Sequence, residues 1–404
     1  MGFFKKLLGR QKGLTDSPES SFELEKRTFE FDKTLKNNNQ LKTIVFLTRD
    51  LPYYDKDSGS NRLKEIMCGF VRKKYQVILV PTNAKPNNSY YRRLELLSIL
   101  VYFKCPKYPN ALAFLKKNSI KIDYFWFNGP NTYKAYYKAI KQNFPFEKIV
   151  YDMVDVHHLR IKREMAFLPK KLSNKKRYKK YFRIESKSIN QSDLIITISE
   201  KEKQYMSKFI EENKMITISN VHFPKINFDQ LPELKLRKDL LFVGSTHPPN
   251  IDAIDYLANQ IMPLVWKKLP QVKVHVVGNL KEKIDGRSFD SRVVFHGYVR
   301  DISPFYLHSR MMVAPLRYGA GVKGKLGQAL EYFLPIITST IGAEGMFFTH
   351  QKNALIANNT QEFAQEIIRL YSDDQLWKLL SGYSVESLSP FSIEKLEQTI
   401  SATF

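Results

Sequence analysis

Three glycines and three cations are crowded into one short stretch: Arg317, Gly319, Gly321, Lys323, Gly324 and Lys325. The apolar run Met311–Pro315 before it reads as a buried parallel strand. Leu326–Phe333 after it reads as a helix, stopped by Pro335, and Ile336–Thr338 begins another short strand. A glycine-rich turn feeding a helix start presents free backbone amides and the positive end of the helix dipole. Two lysines beside such a turn suit a doubly charged diphosphate. The plainer alternative is a solvated loop with chance lysines. A second group of chemical side chains lies in IVYDMVDVHHLR, residues 149–160, where Asp152, Asp155, His157 and His158 follow an apolar strand. Open α/β sheets place their sites at such strand ends. Here too a plainer reading exists, in which an aspartate caps the next helix and a histidine packs locally.

Strand and helix signals alternate along the whole chain. Lys42–Leu47, Gln76–Val80, Ile99–Phe103, Tyr124–Phe127, Lys148–Asp152, Asp193–Ile198 and Ile216–Ser219 read as strands. A helix is expected from Asn61 to Val71, and others over Ala111–Lys117 and Thr132–Lys141. Ser199 followed by Glu200 and Glu202 has the spacing of a helix cap and acidic first turn. From Asp239 the pattern restarts, with strands near 239–243, Val272–Val277, Val293–Phe295 and Leu355–Ala357, and a long amphipathic helix from Asn250 or Asp252 to Leu269. Helices are also expected at Ile302–Leu307, Gln361–Tyr371 and Asp374–Leu380. Repeated strand–helix units imply parallel sheets covered by helices. The expected division is a basic extension over 1–40, a Rossmann-like domain over 41–235, a second over 236–385, and a terminal helix over 386–404 that packs back on the first domain.

The 404 residues exceed one ordinary core, which supports two domains. A formal charge of +24 implies attraction to polyanions without choosing among nucleic acid, an acidic membrane face and phosphorylated substrates. Residues 161–187 hold eleven Lys/Arg with only Glu164 and Glu185 as acids, which suits a basic face toward a membrane or an anionic acceptor, or an ordinary solvated helix. Nucleic acid is disfavoured because no base-reading module accompanies this run. In MGFFKKLLGR the apolar residues share one helical face flanked by Lys5, Lys6 and Arg10. Lying on an anionic membrane and docking on the protein's own surface are both open for it. The two cysteines, Cys68 and Cys105, sit in apolar surroundings and read as buried thiols, and no metal-ligand spacing exists. No signal peptide and no apolar run of transmembrane length is found, so the cytoplasm is the expected compartment.

Several strings together carry a resemblance: LLFVGSTHPPNIDAI, VVFHGYVRDISPF, VAPLRYGAGVKGKLGQAL and STIGAEGM, with LPYYDKDSGSNR, IVYDMVDVHHLR and SDLIITISEKEKQY earlier. They resemble retaining glycosyltransferase family 4, in the subgroup with a GAGVKGK loop. The resemblance implies a GT-B fold: two Rossmann-like parallel-sheet domains facing each other across a cleft. It implies transfer of a sugar from a nucleotide-diphosphate donor to a glycan, lipid-linked or protein acceptor, in cell-surface glycan synthesis. No cofactor is expected, since the nucleotide sugar is a substrate. Gly59 falls in the first-domain glycine loop near the donor phosphates or acceptor. Gly244, Ser245 and His247 stand at the first strand end of the donor domain. Tyr298 and Val299 stand where the base is held, and Gly321, Lys323, Lys325 and Glu344 beside the diphosphate and sugar. Asp155 is the first choice for stabilising the positive sugar or relaying its proton, and His157 or His158 for bonding an acceptor hydroxyl.

The chain also departs from the family pattern. Two glutamates usually stand eight positions apart, and Ala320 and Gln328 occupy their places, with Glu331 three residues late. The usual diphosphate Arg and Lys are replaced by Ser245, Thr246 and His247. Arg317, Lys323 and Lys325 are therefore expected to supply the missing charge. The rivals are a nucleotide-sugar hydrolase or epimerase of the same fold, and an inactive donor-binding protein in surface-glycan assembly.

Overall fold

The computed structural model describes residues 40–83, 89–117, 120–167, 172–284 and 286–404, together with Lys33. The expected basic, membrane-facing segment at 1–10 and the arm that follows lie outside the described residues. The chain forms two compact units, one of residues up to Met153 with Ser188–Ile195 and Ile400–Phe404, the other of Val154–Lys187 and Ile196–Thr399. The chain passes between the units at Met153/Val154, Lys187/Ser188, Ile195/Ile196 and Thr399/Ile400, and the expected 235/236 boundary falls inside the second unit. Within the second unit, the Arg163 side chain bonds to Gly319 of the glycine loop and to Glu344.

The first sheet contains β1 (Thr43–Thr48), β2 (Gln76–Pro81), β3 (Ile99–Val101), β4 (Tyr124–Asn128), β5 (Lys148–Asp152), β6 (Leu194–Thr197) and β7 (Met215–Thr217), in the order β3-β2-β1-β4-β5-β6-β7. Strand β1 pairs in parallel with β2 and β4. Its sequence, TIVFLT, is buried at every position. Such continuous apolar runs mark strands covered on both faces. Helix α1 (Ser58–Arg72) starts earlier than expected because Asp57 caps it, accepting the Ser60 N–H at 2.8 Å. Inside the first unit, Arg62 is 2% exposed and makes a bidentate pair with fully buried Asp152, at 2.8 and 3.1 Å. Trp126 Nε1 donates to the same carboxylate at 3.2 Å. Asp152, a sequence candidate for chemistry, is thus a structural ion.

The second sheet lies wholly in the second unit. It contains β8 (Lys238–Val243), β9 (Val274–Val277), β10 (Val293–Gly297), β11 (Ser309–Ala314), β12 (Ile336–Thr338) and β13 (Leu355–Ile356), in the order β10-β9-β8-β11-β12-β13. The order reverses between β8 and β11, and that switch point is where doubly wound sheets open a crevice at their strand ends. The helix expected from residue 250 to 269 is not uniform. It runs as an α-helix over Pro248–Tyr256, widens to a π-turn over Leu257–Ile261, and resumes over Met262–Val265. Pro263 has no N–H and its ring crowds the carbonyl four residues back, so the turn before it opens. The expected final helix is also interrupted: Ser384–Leu388 and Ile393–Thr403 are separated by a tight turn at Ser389–Phe391 that holds Pro390. No described helix is long and apolar enough to cross a membrane.

Candidate functional site in the second unit

The glycine loop leaves β11 and enters α2 (Gly324–Glu331). Gly321 has φ 73° and Gly319 φ 152°, a region that side chains with a Cβ disfavour. A Cβ on Gly321 would sit 3.4 Å from Asp155 Cβ and 3.9 Å from Glu202 Oε1. The loop thus rests directly on two carboxylate residues. Lys323 Nζ donates to the Ala320 carbonyl at 3.3 Å and to the Gly321 carbonyl. Lys325 Nζ donates to Val243 O at 2.9 Å and to Asn250 Oδ1 at 2.6 Å, above the Phe242 ring. Burial lowers the Lys323 pKa to about 8, opposed by Glu344 and Glu202. Burial, with Lys323 nearby, lowers Lys325 to about 7. Arg317 does not add to this charge as expected. Its guanidinium is taken by Asp252 at 2.9 and 2.5 Å and lies over the Phe167 and Tyr256 rings.

The segment after β5 reaches the loop through Asp155, which the resemblance singled out, and Arg163, which it did not. Val154 has φ 63°, an unusual strain for a β-branched residue. Asp155 follows it. Its carboxylate meets His157 Nδ1 at 2.7 Å and accepts from Arg160 Nε at 2.7 Å. Against the pull of burial, these two cations hold Asp155 well below the usual carboxylate range. Against the same pull, Asp155 and Glu185 raise His157 to about 10. Asp155 is therefore a fixed anion and a poor proton carrier. His158 is 2% exposed, and both ring nitrogens are used, Nδ1 with Glu185 at 2.6 Å and Nε2 with the Tyr205 hydroxyl at 3.0 Å. Four aromatic rings enclose it. It offers no free nitrogen to an acceptor hydroxyl, so the structural reading of His158 fits the geometry. Arg163, in α3 (His157–Phe167), donates to Gly319 O at 2.8 Å and makes a bidentate pair with Glu344 at 2.6 and 2.8 Å. Against burial, those hydrogen bonds lower the Glu344 pKa.

Glu202 completes the group. It sits in α4 (Glu200–Met206), capped by Ser199, whose Oγ accepts the Glu202 N–H at 3.2 Å. A Cβ on Gly345 would come within 3.0 Å of Ser199 Cβ, so the turn carrying Glu344 packs on this cap. Glu202 is 3% exposed. Burial and the Asp155 charge raise its pKa to about 8, with Lys323 partly offsetting. Two neighbouring carboxyls thus differ in kind, one a fixed anion and one able to hold a proton near neutrality.

The other sequence candidates are spread around this centre. His247 Nε2 lies 3.3 Å from Arg160 Nη1, and desolvation with the Arg160 charge lowers its pKa to about 4. The Ser245 carbonyl accepts from Asn250 Nδ2 at 3.2 Å, and the same Asn250 also binds Lys325. Gly244 abuts Phe242 and Asn250. Tyr298 is 55% exposed just after β10, and Val299 packs against the core beneath. Gln328 Oε1 accepts from the buried Tyr306 hydroxyl at 3.2 Å. Glu331 does not stand in for a missing glutamate, because it is 5% exposed and holds His222 Nδ1 at 2.9 Å. Gly59 belongs to the first unit, exposed in the first turn of α1. Arg160, Arg163 and Glu202 were missed. Arg160 ends the segment IVYDMVDVHHLR, where the acids and histidines drew the reading; Arg163 is hidden in the basic run over 161–187, and the Ser199–Glu202 spacing gave Glu202 a local capping role instead.

Comparison with known proteins bears on the same region. Residues 237–373 match the family model described as glycosyl transferases group 1. An uncharacterized 44.6 kDa protein in the cps region of Klebsiella pneumoniae is 27% identical over 223 residues, covering 52% of this chain and 54% of that protein. An uncharacterized glycosyltransferase of Haemophilus influenzae is 24% identical over 220 residues, covering 52% and 60%. The chain thus spans little more than half the length of the curated relatives it matches. Among solved structures, Anabaena HepE in complex with UDP-glucose superimposes with a TM-score of 0.63 at 15% identity, covering 89% of this chain and 98% of that one. Sucrose-phosphate synthase from Thermosynechococcus elongatus gives 0.66 at 13% identity, covering 90% and 98%. The chain has the GT-B fold of two Rossmann-like parallel sheets, and its second sheet lies in the segment that matches glycosyl transferases group 1.

Proposed function

We propose that this protein is a retaining glycosyltransferase of the GAGVKGK subgroup, moving a sugar from a nucleotide-diphosphate donor to a glycan, lipid-linked or protein acceptor in cell-surface glycan synthesis. The observation that carries this reading is the glycine loop: two partly buried lysines and a helix start at a strand end, within the segment matching glycosyl transferases group 1. Cations held in a dry site stabilise the charge that develops on a departing diphosphate. Lys323 and Lys325 take that role, and Asp155, fixed as an anion, stabilises the positive sugar. Gly244, Ser245 and His247 serve the donor phosphates, Tyr298 and Val299 the base, and Gln328 and Glu344 the ribose and sugar. Gly59 serves the donor phosphates or the acceptor. The protein acts in the cytoplasm, peripherally on the inner face of the membrane. UDP-sugars are the donors to try first, because HepE holds UDP-glucose.

A second reading, donor binding without turnover, is favoured by one observation: Glu331 is committed to His222, so the usual glutamates at positions 320 and 328 have no substitute. Thermal unfolding with a panel of nucleotide sugars tests donor binding, because a ligand bound only by the folded state stabilises it. The expected result is a raised Tm with one donor and loss of that protection in Lys323→Ala. Unchanged protection in the variant removes Lys323 from the donor site. Turnover that needs an acceptor supports transfer, turnover of donor alone supports a hydrolase or epimerase, and protection with neither supports the second reading.

A further inference from the structure

The sequence spacing of Ser199 and Glu202 is that of a reciprocal cap, in which the glutamate reaches back to the cap residue's N–H. Half of that arrangement forms, since Ser199 Oγ accepts the Glu202 N–H. The Glu202 side chain goes elsewhere. Oε1 accepts the Val156 N–H at 3.4 Å, and Oε2, buried, has no hydrogen-bond partner among the described residues. A capping carboxylate has been turned inward under Gly321, where ionisation is costly. Charged groups of three segments act on it: Asp155 and Arg163 of the segment after β5, Lys323 of the glycine loop, and Glu344 of the turn after β12. Arg163 is already held by Glu344, and Asp155 by His157 and Arg160. Lys323 alone among these cations has only loop carbonyls as hydrogen-bond partners.

We propose that Glu202 is the proton switch of this site: as a neutral carboxyl it leaves the Lys323 charge to an anionic ligand, and as a carboxylate it claims that charge and turns the anion away. This rests on the reading of the glycine loop as a diphosphate site. Glu202 acts through Lys323 and is a positioning residue. Its burial places the change near pH 8, inside the range in which an enzyme works.

The test is UDP binding to the full chain by titration calorimetry from pH 6.5 to 9.5, for wild type and Glu202→Gln. One linked proton changes affinity about tenfold per pH unit above its pKa. The two proteins are expected to agree within about threefold at pH 6.5, with the variant about tenfold or more tighter at pH 9.5. Any loss of affinity that persists in the variant belongs to Lys323 and Lys325, whose own deprotonation weakens anion binding in both proteins. Parallel profiles overturn the proposal and leave the donor reading intact. Absence of binding to wild type at every pH by UDP, and by GDP, ADP and dTDP used in its place, overturns both. An infrared difference spectrum of wild type at pH 8.5 gives a readout that does not depend on the variant folding. A gain of protonated-carboxyl absorbance on adding UDP supports the switch, and no change sinks it.

Discussion

Arg163 joins two backbone stretches that are 156 positions apart in sequence. One guanidinium holds the Gly319 carbonyl and both oxygens of Glu344, a geometry that lysine cannot reproduce. Arg163→Lys is expected to lower stability by about 1.5–3 kcal/mol, the usual worth of hydrogen bonds to charged groups, as measured by urea unfolding. A loss under 0.3 kcal/mol (roughly the limit of additivity) would show that the pair is incidental. Glu202 gives a prediction with a definite sign. Its folded pKa lies above its ordinary value of 4.5, so its contribution to stability is present below about pH 4.5 and is lost as pH rises through about 8. Melting curves of wild type and Glu202→Gln should therefore converge at acid pH, with the variant melting higher at pH 9. Wild type melting higher at pH 9 would mean that the carboxylate is paired. Residue types pointed to Asp155, Lys323 and Lys325, and all three lie in or against the glycine-loop cluster. Side-chain type alone did not separate His158, whose two nitrogens are consumed, from His157, which holds Asp155.

Helix α2 shows how packing overrides propensity. Gly327 lies inside it, and in an isolated helix Gly→Ala would add about 1 kcal/mol of stability. Here a Cβ would stand 2.3 Å from His222 Nε2 and within 2.6 Å of two more ring atoms. His222 cannot swing away easily, since Glu331 from the same helix holds its other nitrogen and the ring is 4% exposed. Overpacking of this kind costs about 1–3 kcal/mol, so Gly327→Ala is expected to be net destabilising in chemical denaturation. A rise in stability would show that the ring adjusts freely. At the scale of elements, hydrophobic runs and turn residues located most strands within one or two positions. The π-turn before Pro263 is also written in the sequence, as a proline within an otherwise helical pattern, but the apolar stripe continues on both sides of it and hides the break.

Across the whole molecule, the end of the described chain, Ile400–Phe404, belongs to the first unit. Inside that unit the Phe404 ring packs on Phe70, Tyr124 and Trp126, with centroids 4.9–6.2 Å away. Phe404 is partly exposed, so Phe404→Ala is expected to cost about 2 kcal/mol, below the roughly 3–5 of a fully buried ring. Hydrogen exchange should show the loss in amides of β1 and β4, with the second sheet unchanged. Equal loosening of both sheets would contradict this.

Local sequence determined the alternation of strands and helices, because burial on both faces of a parallel strand leaves a continuous apolar run in the chain itself. It also determined the glycine loop, because its φ values and its helix start are properties of adjacent residues. Only the tertiary structure decided which charges remain available. Asp252 takes Arg317, Asp152 takes Arg62, Glu344 takes Arg163, and Glu202 is left buried with an unpartnered oxygen. An ion's partner is set by distance in space, and these pairs, 65 to 181 positions apart, meet only after the sheets have formed. A linear reading can name the charged groups, but the fold decides which of them neutralise one another.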